Sequence, residues 1–588
     1  MVMKSFVPYW DSRYLKNIDK LSKPIYKVKI EKDVYVLTRH GRVAVDIYHP
    51  DAEGKFPALL ACSGYGKDLQ AIDIPPQPPE SLIFDHDIEA GDIKFFVKRG
   101  YVFVIMDPPG VGKSEGEFYG PYSKEEQEAV YDVIEWIARQ EWCNGNVSMI
   151  GVSWFGVIQL LVAGLQPPHL KAIFPGEVPL DLYSRIYDEG ILTLFHQYLE
   201  YMPNNPVLWS EKHYSREELE RRIKERSEDP DIKMNPYYYR YIVAWRDKRN
   251  TWFVDILLHP VDGPFWWERS PYYVLDKINV PVYATTWWEL GKFFSAFVSG
   301  AFDLFTDERL KVSKRILVLP GEARFPSFPE LNFEMLRFYD YYLKGIDTGL
   351  KEEPPIKIFV EGIGKFRYEH EWPLARTKWT KYYLRIFGKL VPEPEDSENL
   401  PPDLLTHTPP SVSTRIDSLT YITEAFSTST EITGPIALYL YASLDQDDAN
   451  FICKLYDVDP SGKKEFLAKS VLRASHRALD EKRSKPWQPV HDHTKPEPCK
   501  PGEIYLFSFA FAPMARIFSP GHRIMLEITT MDPLPQIFHH KQTIQGHMPS
   551  SRPTVYRIYR DAKYQSYLLV PIIPQTPKEL WIDGVELG

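Results

Sequence analysis

Residues 151–156 read Gly-Val-Ser-Trp-Phe-Gly and join the apolar stretch 147–150 to the apolar segment Val157–Leu165. A strand that enters such a corner and leaves it as a helix must turn sharply at the middle residue. Glycines on either side suit a backbone packed so closely against neighbouring chain that a Cβ would clash. The residue lifted out of the turn is Ser153. This is the pattern of a nucleophile elbow, with its second glycine one position later than in Gly-x-Ser-x-Gly. The same six residues also satisfy a plainer description, a small-residue turn between strand and helix, so their neighbours in the chain have to decide.

The chain has 588 residues, enough for about three or four domains with cores of their own. Its 44% hydrophobic and 26% charged residues are those of an ordinary globular protein, whereas 14% aromatic is high. Trp266-Trp267, Trp287-Trp288 and the run 237–239 are compatible with a pocket lining, and equally with core packing. A net charge of −10 argues against a nucleic-acid partner. No run of about 18 apolar residues is present, so no membrane partner is expected. The first residues lack the pattern of a secretory signal, and Cys62, Cys143, Cys453 and Cys499 are scattered, which fits a reducing, cytoplasmic setting.

Two continuous apolar runs, Pro57–Cys62 and Tyr101–Met106, suit central parallel strands. Helical patterns at Asp92–Arg99 and Lys124–Arg139 alternate with them, which predicts a parallel sheet. Polar and aromatic helices follow, at Glu211–Arg226 and Pro236–Lys248. The sheet resumes at Val280–Ala284 and Arg315–Leu319, and Phe333–Leu343 is its last helix. Beyond Trp372 short alternating strands separated by Pro and Gly predict an all-β sandwich or jelly roll. The expected division is a core in two parts, 1–176 and 270–372, around a helical cap at 177–269, followed by a jelly roll at 373–588.

Several motifs occur in a fixed order: Ser63-Gly64-Tyr65-Gly66-Lys67, the stretch Asp107–Phe118, the corner 151–156, His259–Ser270, Phe366-Arg367 through Trp372-Pro373, Asp457–Pro460 and Phe518–Arg523. In this combination the chain resembles the family of cocaine esterase, α-amino-acid ester hydrolases and X-prolyl dipeptidyl peptidases over nearly its whole length. The resemblance implies an α/β-hydrolase core with an inserted helical cap and a C-terminal jelly-roll domain. It also implies a hydrolase in which Ser153 is the nucleophile. The Trp154 backbone N–H and the Tyr65 hydroxyl would be the oxyanion donors. A phenol can do this where it replaces a second backbone amide.

The chain departs from the family's pattern at the other two triad members. The acid position is taken by Glu289, in Thr285-Thr-Trp-Trp-Glu289, and a glutamate can orient a base as an aspartate does. The histidine position falls on Ala323 or, with one inserted residue, Arg324, and no histidine occurs between His259 and His370. A serine hydroxyl without a base is a poor nucleophile. Candidate substitutes are Glu322, Glu289 and His196, and a substitution at 323 or 324 is a further explanation. A lyase, isomerase or cyclase on the same scaffold, or an inactive binding protein, would also fit.

The expected substrate is a small-molecule carbonyl compound (an ester, amide or lactone), moderately large and apolar or aromatic, with a homodimer as an open alternative and no cofactor. Gly110-Val-Gly-Lys-Ser114 resembles the end of a phosphate loop, but the first glycine such a loop needs is replaced by Asp107. His491-Asp-His493 with Cys499 has no zinc-ligand spacing, so no metal is expected and a solvated loop is the simpler reading. His539, His540 and His547 are read the same way.

Overall fold

The structure is a computed structural model that describes residues 17–72, 88–194, 209–243, 251–292, 295–320, 329–533 and 546–582. Its first layer is a ten-stranded sheet. The strands are β1 (Val28–Thr38), β2 (Gly41–Pro50), β3 (Phe56–Cys62), β4 (Val102–Met106), β5 (Cys143–Met149) and β6 (Leu170–Ile173). After a short hairpin of β7 (Tyr187–Asp188) and β8 (Ile191–Leu192), the sheet continues with β9 (Val282–Trp287), β10 (Lys314–Leu319), β11 (Ile356–Val360) and β12 (Lys365–Glu369). The spatial order is β1-β2-β4-β3-β5-β6-β9-β10-β11-β12. Pairing is parallel from β4 through β11 and antiparallel at both edges. The apolar runs are buried because helices cover both faces. After the short helices α1 (Lys67–Gln70) and α2 (Ile93–Val97), α3 (Lys124–Ala138) and α4 (Trp154–Ala163) lie on one face, and Phe96 of α2 and the helix Pro329–Lys344 on the other.

This is an α/β-hydrolase core, and parallel pairing puts the carboxyl ends of β3, β5, β6 and β9 on one rim, where such folds bind ligands. Over that rim lies a group of short helices between Leu182 and Trp267, with its own core of Tyr183, Trp209, Tyr238, Trp252, Phe265 and Trp266. The expected helix Glu211–Arg226 is two, Trp209–His213 and Arg216–Glu228, because Ser215 caps the second by accepting the Glu218 N–H.

The C-terminal domain is all-β, with eleven strands among the described residues. Its longest strand, Thr430–Leu444, pairs with Tyr505–Phe518, Thr554–Tyr559 and Tyr567–Ile573. One strand, Lys464–Arg473, carries four charged residues and reads poorly as a strand. It forms because Lys469 is buried against Asp532 at 3.3 Å and because it pairs along Asn450–Val458. Among the described residues no helix is long and apolar enough to cross a membrane.

Candidate active site

Ser153 stands between β5 and α4 with φ 56° and ψ −116°, outside the ordinary regions for a residue with a Cβ. Its backbone N–H donates to the Gly176 carbonyl at 2.8 Å, and its own carbonyl accepts from Gly156 and Val157 to start α4. Both glycines of the corner are sterically required. A Cβ on Gly151, at φ 120°, would lie 2.4 Å from the Phe155 Cβ, and one on Gly156 would lie 2.3 Å from the Gly176 carbonyl oxygen. The strain at Ser153 is held in place by close packing on both sides, as at other functional sites.

Trp154, the next residue, is 2% exposed and begins α4, where helical N–H groups have no partner within the helix. The outer rim of its indole packs against Gly64: a Cβ there would sit 2.3 Å from Cη2. Tyr65 meets the same indole edge-on, with centroids 5.3 Å apart, and Phe118 stacks on it at 6.0 Å. The strand ends carrying Tyr65 and Ser153 therefore converge on one ring.

Two buried carboxyls that sequence reasoning did not single out belong to this rim. Glu126, 1% exposed, comes from the first turn of α3. It accepts the Trp154 indole N–H at 2.9 Å and the Tyr122 backbone N–H at 2.7 Å. Burial pushes its pKa up to about 8, against the lowering by these two donors. Glu177, 4% exposed, follows the Gly176 that accepts the Ser153 N–H. Its φ is 52°, and its Oε1 has no hydrogen-bond partner. Burial pushes its pKa to about 8 as well. The signal for Glu126 was the pattern Ser123-x-x-Glu126, which marks a helix start: Ser123 accepts the Glu126 N–H. Nothing in the sequence marks Glu177. Glu89 also approaches, its carbonyl accepting the Val152 N–H, and Arg185 is buried beside Tyr65 and Tyr122, with burial lowering its pKa to about 10.

Glu289 lies on the turn Trp288–Lys292, because β9 runs on through Trp287, three residues beyond the expected Ala284, in register with β10. It is ion-paired with Lys292 at 2.7 Å and 36% exposed at the side chain. Glu322, Ala323, Arg324 and His196 lie outside the described residues, as do His539 and His540. Trp266 is buried in the cap core, Trp287 in the sheet core, and Trp288 stacks on Phe302.

Asp107 explains the glycine-rich stretch that follows it. Its carboxylate accepts the Lys67 and Lys113 backbone N–H groups at 2.7 and 3.1 Å, and Gly112 passes so close that a Cβ would meet Oδ2 at 2.3 Å. The loop is wrapped round an aspartate and presents no phosphate cradle. The loop histidines are buried, contrary to their reading as solvated. His491 contacts Glu189 at 2.5 Å, His493 contacts His476 at 3.0 Å, and His547 contacts Asp532 at 2.8 Å and Asp188 at 3.1 Å. The hairpin β7–β8 delivers Asp188 and Glu189 from a distant part of the chain, a contact no local pattern records.

Residues 40–307 match the family model of the X-Pro dipeptidyl-peptidases (S15 family), and residues 348–569 match that of the X-Pro dipeptidyl-peptidase C-terminal non-catalytic domain. The chain is 26% identical to the cocaine esterase of a Rhodococcus species, over 92% of this chain and 98% of that protein. Its fold is similar to that of a CocE/NonD family hydrolase from Staphylococcus aureus, with TM-score 0.73, 23% identity and coverage of 95% and 98% of the two chains. An α-amino acid ester hydrolase is similar in fold at TM-score 0.68 and 19% identity, over 94% and 97%. The protein is thus an enzyme of the hydrolase class, of the serine esterase and peptidase type.

Proposed function

Since residues 40–307 match the model of the X-Pro dipeptidyl-peptidase (S15) family, we propose that the protein hydrolyses an ester, amide or lactone through an acyl-enzyme on Ser153. The observation that carries this reading is the left-handed backbone at Ser153, packed between two glycines that admit no Cβ. In acylation Ser153 Oγ bonds to the carbonyl carbon, the carbonyl π pair moves onto oxygen, and the serine proton leaves to a base. The oxyanion is held by the Trp154 N–H and the Tyr65 O–H. Collapse then breaks the bond to the alcohol or amine, which takes up the proton. Water releases the acyl group in the reverse sequence.

The base we assign is Glu177. Three facts support it: it adjoins the carbonyl that binds the Ser153 N–H, it is buried, and it has an oxygen with no hydrogen bond. A pKa of about 8 makes its carboxylate a far stronger base than an exposed glutamate. Glu289 is engaged with Lys292 and is a weaker candidate in this arrangement. The substrate class follows the relatives, among them a cocaine esterase, which point to esters first.

The test is hydrolysis of a panel of p-nitrophenyl and amino-acid esters by wild type, S153A and E177Q. Turnover in wild type with loss of about four or more orders of magnitude in S153A is expected. Equal turnover in S153A would sink the covalent route, and full activity in E177Q would remove Glu177 as the base.

A further inference from the structure

We infer that Glu126 is a positioning residue for the oxyanion site, acting through the indole of Trp154. This rests on the reading that the Trp154 N–H and Tyr65 O–H hold the oxyanion. The geometry begins with one ring. Trp154 contributes a backbone N–H to the site, and its side chain is at the same time the surface against which Tyr65 rests, at 5.3 Å and 71°. The Gly64 backbone lies against that ring with no room for a Cβ, so the entry to Tyr65 is set by where the indole lies. Both proposed donors thus depend on one side chain.

An indole in an apolar cluster can rotate about two side-chain torsions unless something fixes it. Phe118 and Tyr122 pack on its faces, but ring packing alone is weakly directional. The directional constraint is the hydrogen bond from Nε1 to Glu126 Oε1 at 2.9 Å. Glu126 is itself held at two further points. Its Oε2 accepts the Tyr122 backbone N–H at 2.7 Å, and its own N–H is capped by Ser123 Oγ at 3.3 Å. The chain of contacts runs from the N-terminus of α3 through the carboxyl to the indole, and from there to both oxyanion donors.

A glutamate whose only task was to start a helix would lie in solvent, where capping carries no desolvation cost. Glu126 is instead fully buried, at a position where a carboxyl is expensive to keep. A residue retained under such a penalty beside the reacting atoms is a functional-site candidate. The indole N–H also needs an acceptor once it is buried, and an apolar residue at 126 would leave it without one.

The experiment is a double-mutant cycle with E126L, W154F and the double variant. It reads kcat and KM on an ester that wild type hydrolyses, together with the rate of covalent inactivation by a fluorophosphonate. E126L removes the acceptor, and W154F removes the N–H donor together with the outer ring atoms that meet Gly64. Each single variant is expected to lose roughly 10- to 100-fold in kcat, as for misplacement of catalytic groups by about 1 Å. KM should stay within about 2-fold, and the double variant should be no worse than the more damaged single one. Losses that multiply in the double variant, or a kcat unchanged in E126L, would overturn the inference. Should E126L fail to fold, W154F reads the same link from its other end, and an unchanged kcat there would overturn it equally. A wild type that the fluorophosphonate does not label refutes the serine reading itself, a result distinct from normal labelling of wild type and E126L at equal rates.

Discussion

Replacing Glu177 by glutamine should make the protein more stable, by an amount that grows with pH. The Glu177 pKa rises from an ordinary 4.5 to about 8 on folding, because burial penalises the charged form. Between those values the native chain holds a proton that the unfolded chain has released. Stability therefore falls as pH rises, being fully present below about 4.5 and lost by about 8. Each pH unit inside the window is worth about 1.4 kcal/mol, so wild type loses about 2.7 kcal/mol through this group between pH 5 and pH 7. Glutamine fills the same volume and does not titrate. The melting temperature of E177Q minus that of wild type should then increase by roughly 2–4 °C between pH 5 and pH 7. Differential scanning fluorimetry of both proteins at pH 5, 6 and 7 reads this directly. Glu126 has the same shift and is present in both proteins, so its share cancels in the difference. A difference that stays constant across this range would refute the argument, because it would mean that Glu177 is ionised in the folded protein or titrates alike in both states.

Other consequences follow from the same geometry. If the Glu177 carboxylate takes the Ser153 proton, kcat/KM should rise about tenfold per pH unit below about 8 and level off above it, and the limb assigned to Glu177 should vanish in E177Q. Substituting Gly64 by alanine would drive a Cβ to within 2.3 Å of the Trp154 ring. Turnover should fall about 100-fold with little change in KM, measured by steady-state kinetics. Removing the Asp107 carboxylate in D107A would leave the buried Lys67 N–H and the part-buried Lys113 N–H without their acceptor and should cost about 2–4 kcal/mol, seen in urea unfolding.

Much of the fold was legible because the hydrolase strands are two-sided apolar runs, and such runs predict burial wherever they occur. The elbow was legible for a different reason: its glycines answer a steric demand that is local to six residues. What escaped depends on long-range contacts. Lys464–Arg473 hides its strand character behind charges whose partners lie elsewhere in the chain: Lys469 pairs with Asp532, Glu465 with Arg516 and Arg473 with Asp448. The histidines at 491, 493 and 547 read as loop residues because their acidic partners, Asp188 and Glu189, arrive on a hairpin some three hundred positions away. Glu126 was visible as part of a capping pattern, but its burial against Trp154 was not. Glu177 carries no signal at all: its character comes from burial with one carboxyl oxygen left without a hydrogen bond. Glu289 shows the limit of placing a residue by motif alone, since three further residues of strand carry it onto a turn where Lys292 holds it.

The central claim is that Ser153 becomes acylated. The direct measurement is a rapid-mixing experiment with an activated ester, acid-quenched in the first turnovers, with the acyl group located by peptide mass spectrometry. The account predicts a burst of alcohol product close to one equivalent and an acyl mass on the peptide containing Ser153, both absent in S153A. Turnover of the ester with no burst and no acyl group on that peptide, or an acyl group on another residue, would contradict it.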